Sequence, residues 1–91
     1  MAALQTLVDF LDRTLAAERF TDVSHNGLQV ANRGRVTRVA CGVDASLEFF
    51  AAARAAGANL LICHHGLSWG DSLKRITGLN YRKLSYLLEH D

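Results

Sequence analysis

Apolar residues recur at Leu4, Leu7, Val8, Leu11 and Leu15, the spacing of a single stripe on a helix. Asp9, Asp12 and Arg13 fall on the other side, so the pattern predicts an amphipathic helix over about residues 3–17. Its polar face is not basic, which does not suit a helix lying on a membrane. Residues 20–27 are rich in turn formers and predict a loop. A short strand is expected over Leu28–Val30, then a turn at Asn32–Gly34. Residues 36–43 carry β-branched residues and a largely apolar interior, and predict a strand. Asp44 and Ser46 are both suitable helix caps, and an Ala-rich helix follows to Ala56, with Leu47, Phe50 and Ala51 as its packing positions. Gly57 suits the position just past its end. Residues 59–63 predict a second short buried strand, and Leu79, Leu84, Leu87 and Leu88 mark a helix over 79–90.

Strand, helix and strand in that order form a βαβ unit, whose crossover is long enough to make the strands parallel. The expected fold class is therefore α/β, a layered helix and sheet unit. In open α/β sheets, ligands bind beyond the carboxyl ends of the strands. Here one strand ends at Asp44 and the other runs into His64–His65–Gly66, so parallel pairing brings a carboxylate and two imidazoles to one edge. Neighbouring strand residues point to opposite faces. Adjacent histidines therefore chelate one ion poorly, but at a strand end they can reach two ions ~3.5–4 Å apart, as in two-metal hydrolases. Spacing alone equally allows one histidine in the core and one in solvent. His25 in the loop and Asp71 after Gly70 are further candidates for this edge, and each is also an ordinary loop residue. Trp69, Tyr81 and Tyr86 suit core or partner contacts, with a wall over the histidine edge as the alternative for Trp69. No phosphate-loop, dinucleotide or nucleophile-elbow motif occurs.

Composition narrows the class further. The 91 residues are 49% apolar and 21% charged, as in globular domains. The length allows one domain, 1–91, with a core that is marginal alone, since a chain this short hides only ~60–65% of its unfolded surface. Ten Lys/Arg against nine Asp/Glu give a net charge of +1, without bias between the halves. That removes the electrostatic case for a general nucleic-acid or membrane-surface binder. The small basic groups at Arg33, Arg35, Arg38, Lys74 and Arg75 are read as solvated charge. No uncharged apolar run is long enough to span a membrane, and no basic region precedes the apolar N-terminus, as a signal peptide would require. Cys41 and Cys63 lie in apolar runs; two buried thiols without a secretory signal suggest a reducing, cytoplasmic setting.

Three stretches in order, Asp22–Val30, Cys41–Ser46 and Ala56–Gly70, resemble the N-terminal part of the Nif-three-like family, also called GTP cyclohydrolase I type 2-like or dinuclear metal centre proteins. The match covers essentially the whole chain. The resemblance implies an α/β fold in a toroidal homo-hexamer, with two divalent metal ions (zinc, iron or similar) as cofactors. It makes His64 and His65 metal ligands, one to each ion, and sets Asp44 beside them as a residue that orients a ligand; His25, from its place in the loop, is the other candidate for that role. No residue is assigned a catalytic role. Family chains are much longer, and their other ligands are an aspartate soon after the last helix here and a His-x-x-x-Glu pair near the C-terminus. This chain stops at Asp91, before those motifs, and so looks like an N-terminal, incomplete α/β domain. The implied function is metal-dependent hydrolysis of a nucleotide-like small molecule. The alternatives are a non-enzymatic metal-binding or regulatory interaction protein, and, for the 91 residues alone, no activity.

Overall fold

The computed structural model describes residues 2–16, 19, 25–70 and 72–90. In chain order the elements are β1 (Ala2–Ala3), α1 (Leu4–Leu15), β2 (Arg35–Val36), β3 (Val39–Asp44), α2 (Leu47–Ala55), β4 (Leu60–His65) and α3 (Gly78–His90). Strands β3 and β4 pair in parallel, and β1 pairs with β2 antiparallel. The predicted βαβ unit is thus β3–α2–β4, and the fold is α/β. No helix among the described residues is long and apolar enough to cross a membrane.

Local chemistry explains the boundaries. The Ser46 hydroxyl accepts from the Phe49 N–H at 3.1 Å and caps α2. Asp44, the other candidate cap, is taken up in β3 instead. Gly57 has φ +82°, so the helix ends where only glycine turns without strain. On α2 the buried residues are Phe50 and Ala53, three apart on one face; Ala51, expected to pack, lies off that face and is exposed. The first helix is shorter than its pattern. It ends at Leu15 because Ala16 adopts a left-handed conformation, φ 49°.

Two predicted strands differ. Residues 36–43 do not form one strand, because the Asn59 side chain interrupts it. Its Oδ1 accepts the N–H groups of Thr37 and Arg38 at 3.0 and 3.4 Å, while its Nδ2 donates to the Arg35 carbonyl at 3.0 Å. Those backbone groups would otherwise continue a ladder. Leu28–Val30 is not a strand, and the Gln29 side chain donates to the His25 carbonyl at 2.8 Å. Of the predicted loop 20–27, residues 20–24 lie outside the described residues, as do Asp71 and Asp91.

Five apolar side chains are buried among the described residues: Leu4, Val36, Ala45, Phe50 and Ala53. The Phe50 ring stacks on Tyr86, centroids 6.3 Å apart, and ties α2 to α3. Trp69 and Tyr81, expected in the core or at a contact, are exposed on the surface. The thiols also depart from expectation: Cys41 is exposed and Cys63 only half-buried, both free. The apolar stripe of α1 faces a concavity of about 650 Å³, bounded also by segment 25–32, β4 and α3.

Candidate functional site

Parallel pairing sets β3 and β4 in a register that places Asp44 opposite His65. Both lie at the carboxyl ends of their strands, and the two side chains meet, Asp44 Oδ1 to His65 Nδ1, at 3.0 Å. An ionised carboxylate only accepts, so the bond requires the imidazole proton on Nδ1. His65 Nε2 then keeps its lone pair for a ligand. The Ala45 N–H donates to the His65 carbonyl at 3.1 Å, so the histidine is held by backbone and by ring.

His64 precedes it on β4, and its ring lies edge-on to that of His65, centroids 4.5 Å apart and planes 69° apart. The strand runs through both residues, and both are exposed. His64 also borders the concavity under α1. Two imidazoles in crossed planes, one steered by a carboxylate, are donors suited to zinc, iron and similar divalent ions. Among the described residues no group of three or more His, Cys, Asp or Glu side chains is placed to hold one ion. A catalytic zinc takes three protein ligands and a water. The donors present fit part of such a centre and do not complete one.

The turn after the pair is fixed by a residue that the sequence pattern assigned to a strand. Gln29 Oε1 accepts the N–H groups of Leu67 and Ser68 at 2.8 and 3.0 Å. Its Nε2 donates to the carbonyls of His25 and Ser68 at 2.8 and 3.0 Å. His25 lies beside this turn: its N–H donates to the Ser68 carbonyl at 2.9 Å and its ring Nδ1 meets the Ser68 hydroxyl. His90, on the last turn of α3, packs its ring edge-on against Tyr86, 4.5 Å between centroids, and borders the same concavity. Next to the edge, burial first, then the Asp44 carboxylate and Cys41, push the Cys63 thiol above its ordinary value of 9.0. It is a poor nucleophile at neutral pH.

A family model described as Duf34/NIF3 (NGG1p interacting factor 3) matches residues 2–91. The chain belongs to the Duf34/NIF3 family. It is 46% identical over 85 residues to a GTP cyclohydrolase 1 type 2 homolog of Archaeoglobus fulgidus, covering 93% of this chain and 34% of that protein. A Pseudomonas aeruginosa protein of the same description is 42% identical over 89 residues, covering 98% and 35%. Among solved structures, a Thermus thermophilus protein of 37% identity superposes with a TM-score of 0.91 over 97% of this chain and 36% of its own. The chain therefore spans about a third of the length of these Duf34/NIF3 relatives.

Proposed function

We propose that this chain carries the histidine-pair edge of a two-metal centre in a hydrolase acting on a nucleotide-like small molecule. The observation that carries the reading is the Asp44–His65 bond at 3.0 Å, which leaves Nε2 of His65 as a donor beside the crossed ring of His64. Bound divalent ions would supply an activated water and a polarised substrate. The chain's own residues do the preceding work. Asp44 holds the proton of His65 on Nδ1 and fixes the ring plane; the β3–β4 register keeps the two together. His64 and His65 would supply one imidazole to each ion, and further ligands would come from outside the described residues. The relatives' description, GTP cyclohydrolase 1 type 2 homolog, suggests a purine nucleotide as the first substrate to try. In the relatives' setting we take the assembly to be a homo-hexamer in the cytoplasm.

A second reading, a metal-loaded interaction protein without turnover, draws on the open exposure of the pair and on the family description as an interacting factor. A chimera separates the two: this chain followed by the remaining length of the Archaeoglobus fulgidus relative, supplied with zinc or iron and GTP. The hydrolase reading predicts metal-dependent loss of GTP, abolished in His64→Ala/His65→Ala. A folded, metal-loaded chimera that leaves GTP intact contradicts it and selects the second reading.

A further inference from the structure

We infer that Gln29 is the positioning residue of the histidine pair, holding the turn that follows His65 so that its ring stays on Asp44. The inference rests on the reading that this pair is the functional edge.

His65 is the last residue of β4, where a strand has no further ladder to hold it. From its N-terminal side the ladder fixes it, and the Ala45 N–H takes its carbonyl. On its C-terminal side each of the next three residues touches the Gln29 amide. Gly66 packs so closely that a Cβ there would lie 2.6 Å from Gln29 Oε1. Leu67 and Ser68 donate their N–H groups to that oxygen. The amide nitrogen donates both its hydrogens, to the carbonyls of His25 and Ser68. A primary amide has two donor hydrogens and two acceptor lone pairs, and all four are used on backbone. One side chain thus replaces the ladder that neither segment has.

The geometry explains two sequence features together. Glycine is required at 66 because the amide occupies the space of its side chain. Glutamine serves at 29 because only an amide both donates to two carbonyls and accepts from two N–H groups. A leucine of similar size fills the space and makes none of these bonds. Without them the turn is free to rotate, and His65 loses its angle to Asp44.

The test reads the tautomer of the His65 ring by nitrogen-15 NMR on the metal-free 91-residue protein. Wild type is expected to hold the proton on Nδ1. Gln29→Leu is expected to shift His65 to a mixture containing the Nε2–H form, with the parallel β3–β4 amide pattern retained. Gln29→Glu keeps the acceptor half and is expected to restore part of the Nδ1–H population. A cobalt(II) titration of the same proteins should show about tenfold weaker binding in Gln29→Leu, the usual effect of removing a residue that supports a ligand. A Gln29→Leu protein with the wild-type tautomer and cobalt affinity overturns the inference, and so does a wild type whose His65 is not Nδ1–H. If Gln29→Leu fails to fold, Gly66→Ala, which presses on Oε1, is read in the same way, and an unchanged tautomer in it overturns the inference. A tautomer shift in a protein that binds no cobalt through His64 and His65 still supports the Gln29 clamp, and the metal reading is tested separately in the chimera.

Discussion

Asp44 and His65 are 74% and 65% exposed, so the hydrogen bond between them sits in water and contributes about 0–1 kcal/mol to stability. At that magnitude the carboxylate matters for direction more than for holding the fold. It selects the tautomer and plane of one imidazole, and the crossed ring of His64 stands beside it. The cysteines behave oppositely to each other. Cys41 is exposed, while burial and the nearby Asp44 charge hold Cys63 in its neutral form. Iodoacetamide at neutral pH is therefore expected to label Cys41 first, and Cys63 to react only as the pH rises above its ordinary value of 9.0. Equal labelling rates in a mass-spectrometric time course would contradict that assignment. The folded thiol ionises at higher pH than the unfolded one. The stability this contributes is present below the ordinary value and is lost as pH rises through the folded value. At this scale Asp44, His64 and His65 were legible, because strand ends and parallel pairing are written in short-range pattern. Gln29 was not. A lone amide between Leu28 and Val30 reads as one position of an alternating strand, and its partners lie nearly forty residues away.

The elements divide the same way. The βαβ unit was legible because each piece carries its own signal: a β-branched run, a serine cap, a glycine stop, a second apolar run. The cap can be tested by itself. Ser46→Ala removes the acceptor for the Phe49 N–H and is expected to cost about 1 kcal/mol, read as a lower urea midpoint with an unchanged slope. An unchanged midpoint would mean that the hydroxyl does not cap α2. The break between β2 and β3 was not legible. Residues 35–44 carry strand propensity nearly throughout, and the interruption comes from Asn59, a tertiary partner that takes the backbone groups of Thr37 and Arg38. Propensity describes a segment and leaves out a side chain competing for its hydrogen bonds. In Leu28–Val30 the tertiary partner runs the other way: the Gln29 side chain reaches the backbone of His25, Leu67 and Ser68 and supports the histidine turn.

At the scale of the whole molecule the surface is large for the mass. A folded 10.0 kDa protein exposes about 5,200 Å² by the usual scaling, whereas this chain exposes 6630 Å². Its few buried side chains, the open concavity under α1 and exposed Leu15, Val43, Trp69 and Leu88 belong to one picture: much apolar surface without cover. The chain also spans about a third of its relatives' length. The marginal core expected from 91 residues was legible in length and composition alone. The pair itself is placed locally, by β3, β4 and Gln29, whereas the proposed ions would take their further ligands from outside the described residues. The decisive measurement is metal per chain, by elemental mass spectrometry after equilibration with zinc and gel filtration, for the chimera with the Archaeoglobus fulgidus relative and for its Asp44→Asn and His64→Ala/His65→Ala variants. Zinc is expected to be retained by the unsubstituted chimera, bound about tenfold more weakly after Asp44→Asn, and lost from the double variant. Zinc retained equally by all three proteins, or by none, would contradict the claim that this strand edge binds metal.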